Sequence, residues 1–491
     1  MIRIALSVAT GLIGLFFLVL GLAFLFAPAL AASRFAVLAT DSAGYGTLRG
    51  DLGALFLGIG IFSILGARRS ARRWLIVPIG FLAAIVAGRI VSLLLDGRSA
   101  GSVQALIVEL IALSVLAAWR SSGGDAPAPE SSWPRRLGLA GFAALVLITA
   151  CAFVFQRQIG LALVRQIAER LFSQSVLDSL PDGLHAGLCG SGAPLPDPNR
   201  DGPCVFVVAA HRLYIVDAGE GSPRKLGLMQ IPPGAIEAIF LTHFHSDHIA
   251  ALGEMIMERW AGGGHTEPVE VFGPQGVDSV VDGFNSAYRL DNGYRVAHHG
   301  AATMPPSGEG GVARSFSVPP SGDWSEAILQ RDGLTVTAFN VRHTPVFPAV
   351  GYRFAYRGRS IVISGDTAPS ESLEKNAKGA DVLFHEGLQT TMVTVLHDAA
   401  ARHDRKTFAK IAADIPSYHT TPEDAARIAD RAGVRQLVFY HILPPLPFSY
   451  LQGAFLGGAA NYYHGPISVG KDGMLLSLPP DSTAISMRQL L

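Results

Sequence analysis

Four side chains of the types that bind metal ions fall within the six consecutive residues 243–248. They are His243, His245, Asp247 and His248, in the segment THFHSDH. Clustered imidazoles repel one another when protonated and need hydrogen-bond partners when buried, so this spacing favours a cation at their centre. Imidazole nitrogen together with a carboxylate suits zinc. The segment therefore predicts a metal site.

Three further candidates each follow an apolar run that has the composition of a β-strand. His343 follows TVTAFNV, Asp366 follows SIVI, and His441 ends QLVFYH. Taken singly, a histidine at the end of a strand is more often simply solvated. Because all three occur in this order after the first cluster, we expect them to lie at one sheet edge and to join the same site.

The elements that must position these residues lie after residue 180. Apolar runs rich in β-branched residues, such as CVFVVAA and RLYIVDAG, alternate with segments of helical periodicity, such as HIAALGEMIMERW and TPEDAARIADRAG. This alternation predicts an α/β layered architecture, with strands in sheets and helices outside them.

The segment from about residue 183 to residue 480 resembles the metallo-β-lactamase-fold hydrolases. The resemblance rests on HFHSDH, RHTP, SGDT, FHEG, YHTTPEDAARIADRAGV and FYHI, which follow one another in the family's order. The pattern is most similar to the ribonuclease Z and arylsulfatase-like branch. The resemblance implies a four-layer αββα sandwich, with two metal ions at one rim of its two sheets.

The resemblance also assigns roles to individual residues. The implied ligands are His243, His245 and His343 for a first zinc ion, Asp247, His248 and His441 for a second, and Asp366 as a bridge between them. Glu386 and His419 match positions that help to hold a proton donor near the leaving group. The implied cofactor is two zinc ions per chain, and manganese or iron is an alternative.

A complete site of this kind predicts hydrolysis of an ester by a hydroxide held between two metal ions. Asp247 is the group that we expect to orient the attacking oxygen. We expect His419, held by Glu386, to protonate the leaving group. A helix-capping role is the alternative for His419.

The first part of the chain has a different composition. Hydrophobic residues make up 49% of the whole sequence and charged residues only 16%, with a mean hydropathy of +0.34. Long apolar runs at 4–30, 52–66, 74–95, 103–119 and 137–155 predict an all-α transmembrane bundle of about five helices. The predicted organisation is a membrane region at 1–155, a connecting amphipathic helix at 156–180 and a hydrolase domain at 181–491.

The arginines between the apolar runs predict the orientation of the bundle. Arg68, Arg69, Arg72 and Arg73 follow the second run, and Arg120, Arg135 and Arg136 follow the fourth. Positive charge marks the cytoplasmic side, so five spans place the hydrolase domain outside. We expect an integral protein of a bacterial inner membrane, with its catalytic domain on the periplasmic face. Arg89 and Glu109 fall inside predicted spans, and we expect them to pair.

Charge balance leads to an expectation about the substrate. Residues 175–491 hold 24 Lys and Arg against 32 Asp and Glu. A net-acidic domain has no excess cation to neutralise phosphates, and the chain has no recognisable tRNA-gripping arm. The expected partners are a small-molecule ester and the lipid bilayer, with nucleic acid unlikely and the oligomeric state unspecified.

The predicted function is therefore a membrane-anchored dinuclear zinc hydrolase of a small-molecule phosphodiester or sulfate ester. One alternative is hydrolysis of a lactone, β-lactam or thioester, which the same metals support. Another is a transport-linked membrane protein that carries a metallo-hydrolase domain.

Cys189 and Cys204, 15 residues apart, predict either a disulfide or two unpaired small hydrophobic side chains.

Overall fold

The computed structural model of this chain describes residues 2–33, 35, 37, 39, 42–95, 100–122, 155–173 and 175–491. The chain divides into two compact units, Met1–Arg165 and Gln166–Leu491. The first unit is helical, and the second contains two β-sheets with helices.

The helices of the first unit occupy most of its described residues. They are α1 (Ile2–Phe26), α2 (Pro28–Ser33), α3 (Ser42–Thr47), α4 (Ala54–Gly66), α5 (Ile76–Leu95), α6 (Ala100–Ser121) and α7 (Gln156–Ser173). A π-helical turn at Leu48–Gly53 joins α3 to α4, and a 3-10 helix at Arg69–Leu75 precedes α5. Helix α7 crosses the boundary between the two units.

Small residues allow α1 and α4 to pack closely. A Cβ added at Gly60 would lie 2.5 Å from the backbone nitrogen of Leu18, and one at Gly21 would lie 2.7 Å from that of Leu57. Close backbone approach at small residues is how helices associate where burial from water gives no driving force between them. The α1–α4 contact thus has the close backbone approach that transmembrane helices often use.

Four helical segments in the described residues are long and apolar enough to cross a membrane. They are Ile4–Phe26, Ala43–Gly66, Arg69–Leu93 and Val103–Ser121. The second is longer than the predicted run at 52–66, because the helix continues backward through the π-helical turn. The predicted fifth span at 137–155 lies, except for its last residue, outside the described residues.

The two ionisable residues in the predicted spans form an ion pair. Nε of Arg89 on α5 lies 2.9 Å and 3.2 Å from the two carboxylate oxygens of Glu109 on α6. An ionisable residue inside an apolar span is costly when it is unpaired, and pairing offsets that cost. At another point of the bundle, the guanidinium of Arg72 lies 3.7 Å from the centre of the Trp119 ring, which places the arginine-rich turn before α5 beside the end of α6.

The described part of the second unit contains fifteen strands. They are β1 (Leu184–Gly190), β2 (Cys204–Ala209), β3 (Arg212–Val216), β4 (Ile236–Phe240), β5 (Val269–Pro274), β6 (Gly311–Phe316), β7 (Ser325–Arg331), β8 (Leu334–Asn340), β9 (Val350–Tyr356), β10 (Arg359–Ile363), β11 (Val382–Leu388), β12 (Gln436–Leu443), β13 (Ile467–Val469), β14 (Met474–Leu478) and β15 (Ser486–Gln489).

These strands form two sheets within the described residues. One has the order β15-β14-β1-β2-β3-β4-β5-β6 and the other has the order β13-β12-β11-β10-β9-β8-β7. Strands β3, β4 and β5 are parallel to one another, as are β10, β11 and β12. Strand β8 is antiparallel to β9, which is antiparallel to β10, so β8 runs in the same direction as β10. The carboxyl ends of β8, β10, β11 and β12 therefore lie at one edge of their sheet.

The described part of the second unit also contains helices, several of which pack on the outer faces of the sheets. They are α8 (Ser222–Leu228), α9 (Ser246–Ile249), α10 (Leu252–Gly263), α11 (Val277–His299), α12 (Glu371–Ala377), α13 (Thr390–Arg402), α14 (Lys406–Asp414), α15 (Pro422–Ala432) and α16 (Gln452–Leu456).

Three apolar clusters hold these layers together. The inner faces of the two sheets meet in one cluster, where Phe240 of one sheet packs 5.5 Å, between ring centres, from Phe354 of the other. Met255 of α10 packs on the outer face of the first sheet, and Ile428 of α15 packs on that of the second. The predicted four-layer αββα sandwich is confirmed.

Cys189 at the end of β1 and Cys204 at the start of β2 form a disulfide, with their Cα atoms 5.0 Å apart. Of the two possibilities that the sequence left open, the paired one is present. Both residues are fully buried in the cluster under the outer face of the first sheet. The third cysteine, Cys151, lies outside the described residues.

Candidate metal centre

Strand ends place the predicted ligands at a common rim. Strand β4 ends at Phe240, and His243 lies three residues after it. His343 follows β8, Asp366 follows β10, and His441 lies near the end of β12. Since these three strands run in the same direction, their ends meet at one edge, as the strand-end pattern in the sequence predicts.

The first group of ligand atoms comprises Nε2 of His243, Nδ1 of His245, Nε2 of His343 and Oδ2 of Asp366. The Nδ1 atom of His245 lies 3.0 Å from Nε2 of His243 and 3.5 Å from Nε2 of His343. The Oδ2 atom of Asp366 lies 3.8 Å from the nitrogen of His243 and 3.9 Å from that of His343. Residues separated by up to 123 positions in the sequence thus present four ligand atoms to one point.

The second group comprises Asp247, His248 and His441, and it also contacts Asp366. Oδ2 of Asp247 lies 3.5 Å from Nε2 of His248 and 3.3 Å from Nε2 of His441. The carboxylate of Asp366 faces both histidines, with Oδ1 3.4 Å from His248 and Oδ2 3.3 Å from His441. Asp366 therefore belongs to both groups.

These distances fit divalent metal ions. A tetrahedral zinc ion bound at about 2.1 Å separates its ligand atoms by about 3.4 Å, close to the separations found in both groups. Nε2 of His248 and Oδ1 of Asp366 are buried without a hydrogen-bond partner. Buried polar atoms are rarely left unpaired, so their convergence on one point indicates a cation site.

A residue that sequence reasoning missed orients one of the histidines. Asp217 follows β3, and its Oδ2 lies 2.9 Å from Nδ1 of His248. The same carboxylate accepts hydrogen bonds from the backbone nitrogen and the hydroxyl of Thr242. Histidine ligands commonly donate their second N–H to a carboxylate in this way. In the segment RLYIVDAG, Asp217 follows an apolar run in the same way that Asp366 follows SIVI. The strand-end pattern that identified Asp366 could therefore have identified Asp217 as well.

Backbone and hydroxyl groups orient two other histidines. Nδ1 of His343 donates to the carbonyl oxygen of Tyr418 at 3.0 Å, and Nδ1 of His243 lies 3.1 Å from the hydroxyl of Thr242. Asp217 and His441 adopt left-handed backbone conformations, with φ of 61° and 45°. Such conformations are unfavourable for residues other than glycine and concentrate at functional sites.

The carboxylates favour positive charge at the second ligand group. Burial alone would lower the pKa of His248, but Asp366, Asp247 and Asp217 outweigh it and raise that pKa well above its ordinary value. For Asp366, burial is outweighed by His441 and His248, which hold its pKa well below the usual range. The same negative field that favours a proton on His248 favours a metal cation at this point.

Glu386 and His419 form a hydrogen-bonded pair beside the second group. Oε1 of Glu386 lies 3.1 Å from Nδ1 of His419 and accepts from the backbone nitrogen of Thr420 at 2.9 Å. Burial opposes a charge on His419, but the Glu386 carboxylate outweighs it and raises the pKa of His419. The ring of His419 stacks on that of His441 with centres 5.5 Å apart. A histidine whose Nδ1 is held in this way can donate a proton from Nε2.

Comparisons with known proteins bear on both units. Residues 212–442 match the family model described as a beta-lactamase superfamily domain. Residues 5–120 match a domain of unknown function, DUF4345. The two matches fall in the second and first compact units respectively.

The curated relatives include bacterial ribonucleases Z. Ribonuclease Z of Mycobacterium bovis (strain BCG / Pasteur 1173P2) is 35% identical over 292 residues, 59% of this chain and 96% of the relative. Ribonuclease Z of Mycolicibacterium paratuberculosis is 33% identical over 291 residues, 59% of this chain and 96% of the relative. Among solved structures, the short form of human tRNase Z is 22% identical with a TM-score of 0.43, over 60% of this chain and 99% of that one.

These relatives overturn the expected partners. The prediction of a small-molecule ester, with nucleic acid unlikely, is wrong, because the relatives that match at 33–35% identity are ribonucleases. The prediction rested on the net charge of residues 175–491 and on the lack of a recognisable tRNA-gripping arm. That charge is an average over a whole domain, and it does not determine what contacts a cleft formed by a few of its loops.

Proposed function

The chain belongs to the ribonuclease Z family of the beta-lactamase superfamily, and from this we propose that it is a membrane-anchored, metal-dependent phosphodiesterase that cleaves RNA. Its hydrolase domain spans 96% of the length of the Mycobacterium bovis relative. The observation that carries the proposal is the meeting of two groups of ligand atoms at the shared carboxylate of Asp366.

We assign two zinc ions to the centre, one to each group of ligand atoms. Histidine nitrogen with a minority of carboxylate oxygen is the donor set that zinc favours over magnesium or calcium. When bound, a pair of zinc ions supplies Lewis acidity, which makes water a nucleophile near neutral pH and offsets the charge on a phosphate.

The side chains around the centre divide the work of proton transfer. The Asp247 carboxylate keeps some exposure to the cleft, with 12% of the side chain accessible, and is placed to accept a proton from the attacking water. We assign to His419 the donation of a proton to the leaving oxygen, since Glu386 holds its Nδ1–H and the proton would come from Nε2. Asp217 keeps His248 in the orientation that directs Nε2 inward.

The described helices support the membrane anchor. Four segments are long and apolar enough to span a bilayer, and α5 and α6 are joined by the ion pair of Arg89 with Glu109. Together with the predicted fifth span, the arginine distribution favours a hydrolase domain on the outer face. The disulfide between Cys189 and Cys204 supports that side, because disulfides persist in oxidising compartments.

Purified full-length protein in detergent tests the chemistry. We expect close to two zinc ions per chain by mass spectrometry of metals, and cleavage of end-labelled single-stranded and hairpin RNA that stops on chelation and returns with zinc. Metal-loaded protein that leaves every RNA intact would refute the proposed function. A single equivalent of metal in active protein would refute the two-ion assignment alone.

Alkaline phosphatase fusions after residue 175 test the side of the membrane. An active fusion is expected, since the enzyme folds only outside the cytoplasm. An inactive but expressed fusion would place the hydrolase domain in the cytoplasm.

A further inference from the structure

Two tyrosines lie in the core between the sheets, on the side of the core that faces the metal centre. Tyr352 is the third residue of β9, and Tyr440 is the fifth of the eight residues of β12. Strand β9 runs antiparallel to β10, and β12 runs in the same direction as β10. The start of β9 and the end of β12 therefore lie at the edge where the ligands meet. Both tyrosine side chains are fully buried in the cluster that the two inner faces form.

The hydroxyl of Tyr352 holds the loop that follows β4. It donates a hydrogen bond to the carbonyl oxygen of Leu241 at 2.5 Å. On the same strand, the backbone nitrogen of Val350 donates to the carbonyl oxygen of Thr242 at 3.0 Å. Strand β9 of one sheet thus binds two successive carbonyl groups in a loop of the other sheet, directly before His243.

The hydroxyl of Tyr440 contacts the loop that follows β10. It accepts a hydrogen bond at 3.1 Å from the backbone nitrogen of Gly365, the residue before Asp366. Gly365 has a φ of 61°, and a Cβ atom added there would lie 2.7 Å from the carbonyl oxygen of Val350 and 3.0 Å from Cβ of Thr242. The two loops that carry ligands therefore pack against each other, and each is hydrogen-bonded to one of the tyrosines.

The hydroxyl groups have a cost that a phenylalanine would avoid, because a polar group in an apolar core is unfavourable unless it is hydrogen-bonded. Phenylalanines occupy neighbouring positions of the same cluster. The ring of Phe240 lies 5.5 Å from that of Tyr352, between centres, and Phe354 is the next residue of β9 on the inner face. A phenylalanine in place of either tyrosine would fill nearly the same space, but the Leu241 carbonyl or the Gly365 N–H would lose its partner. The hydroxyls therefore contribute to the position of the loops and add little to the volume of the core.

We propose that Tyr352 and Tyr440 are positioning residues for the metal centre. Tyr352 sets the start of the loop that carries four ligands of the two groups, and Tyr440 sets the position of the shared carboxylate of Asp366. The proposal rests on the metal centre of the proposed function and adds to it a layer of support inside the core. Ligand atoms must lie within about 0.2 Å of their ideal distances, so a small shift of either loop lowers the affinity for metal.

The variants Tyr352→Phe and Tyr440→Phe test this, because they remove the hydroxyls and keep the rings. We expect the zinc affinity of each full-length protein, measured by competition with a chelator, to fall by about tenfold or more, as it does when an outer partner of a metal site is lost. Cobalt(II) bound in place of zinc has absorption bands that depend on ligand geometry. We expect these bands to change in both variants.

Tyr463→Phe is the matched control. The hydroxyl of Tyr463 donates to the carbonyl oxygen of Val434 at 2.9 Å, and the ring is buried in the cluster on the outer face of the second sheet. Each of the three variants loses one hydrogen bond of a buried tyrosine and should lower the melting temperature of the metal-free protein. Only Tyr352→Phe and Tyr440→Phe should change the zinc affinity and the cobalt spectrum.

Wild-type zinc affinity and an unchanged cobalt spectrum in both variants would overturn the proposal, and so would equal changes in Tyr463→Phe. The two tyrosines would then only fill the core. If one variant does not fold, the other decides.

Metal binding is measured without RNA, which separates this proposal from the proposed function. A wild type that binds zinc but cleaves no RNA refutes the phosphodiesterase and leaves the role of the tyrosines open to the same measurement. A wild type that binds no metal refutes the metal centre and this proposal with it.

Discussion

Nδ1 of His248 lies 2.9 Å from Oδ2 of Asp217, so this carboxylate fixes which nitrogen of the histidine faces the metal centre. Both side chains are fully buried. Asp217 follows β3 in a left-handed backbone conformation that few residues other than glycine adopt. Asp217 therefore acts through His248, as a positioning residue.

Asp217→Asn should weaken metal binding at the second ligand group by about 10–100-fold, the usual effect of losing such a partner. Competition with a zinc chelator measures this affinity, and RNA cleavage at limiting zinc should fall in parallel. Asp278→Asn, an exposed residue in the first turn of α11, serves as the matched control. Unchanged affinity in Asp217→Asn would show that His248 is held by other contacts.

Asp366→Ala should lose both metal ions, because this carboxylate faces both ligand groups. Activity should fall by more than about 100-fold, beyond what the loss of an outer partner costs. Metal content and circular dichroism of the purified variant check the result, with Asp323→Ala as an exposed control. Retention of two metal ions would contradict the bridging assignment.

His419→Gln should lower kcat for RNA by about 10²–10⁴-fold while leaving metal content unchanged, since it removes a proton donor. With bis-p-nitrophenyl phosphate as a probe, the loss should be less than about tenfold, because p-nitrophenolate leaves without a proton. Glu386→Gln should show the same pattern to a smaller degree, since the amide still contacts His419. Equal losses on both substrates would assign His419 a structural role.

Replacing both members of the disulfide, as Cys189→Ala with Cys204→Ala, should destabilise the hydrolase domain by about 3 kcal/mol, the value for a loop of this length. Thermal unfolding of the full-length protein measures the change in stability. The extent of unfolding is monitored as the RNA-cleaving activity that is lost after heating. Cys151→Ala removes the cysteine outside the pair and should have no such effect. An unchanged melting temperature in the double variant would show that the crosslink contributes little.

His185 should make stability depend on pH. Burial lowers the pKa of this histidine, whose nitrogens lie 2.8 Å from the Ser477 hydroxyl and 2.9 Å from the Pro181 carbonyl oxygen. As pH falls below about 6.5, the unfolded chain takes up a proton that the folded domain still refuses, so the free energy of unfolding decreases. His185→Gln should show a shallower decrease over this window in denaturant titrations. His403→Gln, at an exposed position, should follow the wild type.

The local sequence was sufficient for the parts of the fold that depend on periodicity and strand-end chemistry. The segment THFHSDH indicated a metal site, since the ligand spacing is set by a strand that ends where a helix begins. The apolar runs predicted spans because length and hydropathy alone decide whether a helix can cross a bilayer. The expectation about the substrate failed because net charge is summed over the whole domain and does not show where the individual charges lie.

Only the tertiary structure decided which distant groups meet. Asp366 faces both ligand groups because the ends of β4, β8, β10 and β12, from two different sheets, meet beside it. The spacing of residues in the sequence does not specify the order of strands in a sheet. The disulfide, the support of His248 by Asp217 and the position of Tyr418 against His343 have the same origin. The sequence by itself determined which side chains can bind metal, because that is a property of residue type. Their distances from one another are a property of packing, and packing is decided by the whole chain at once.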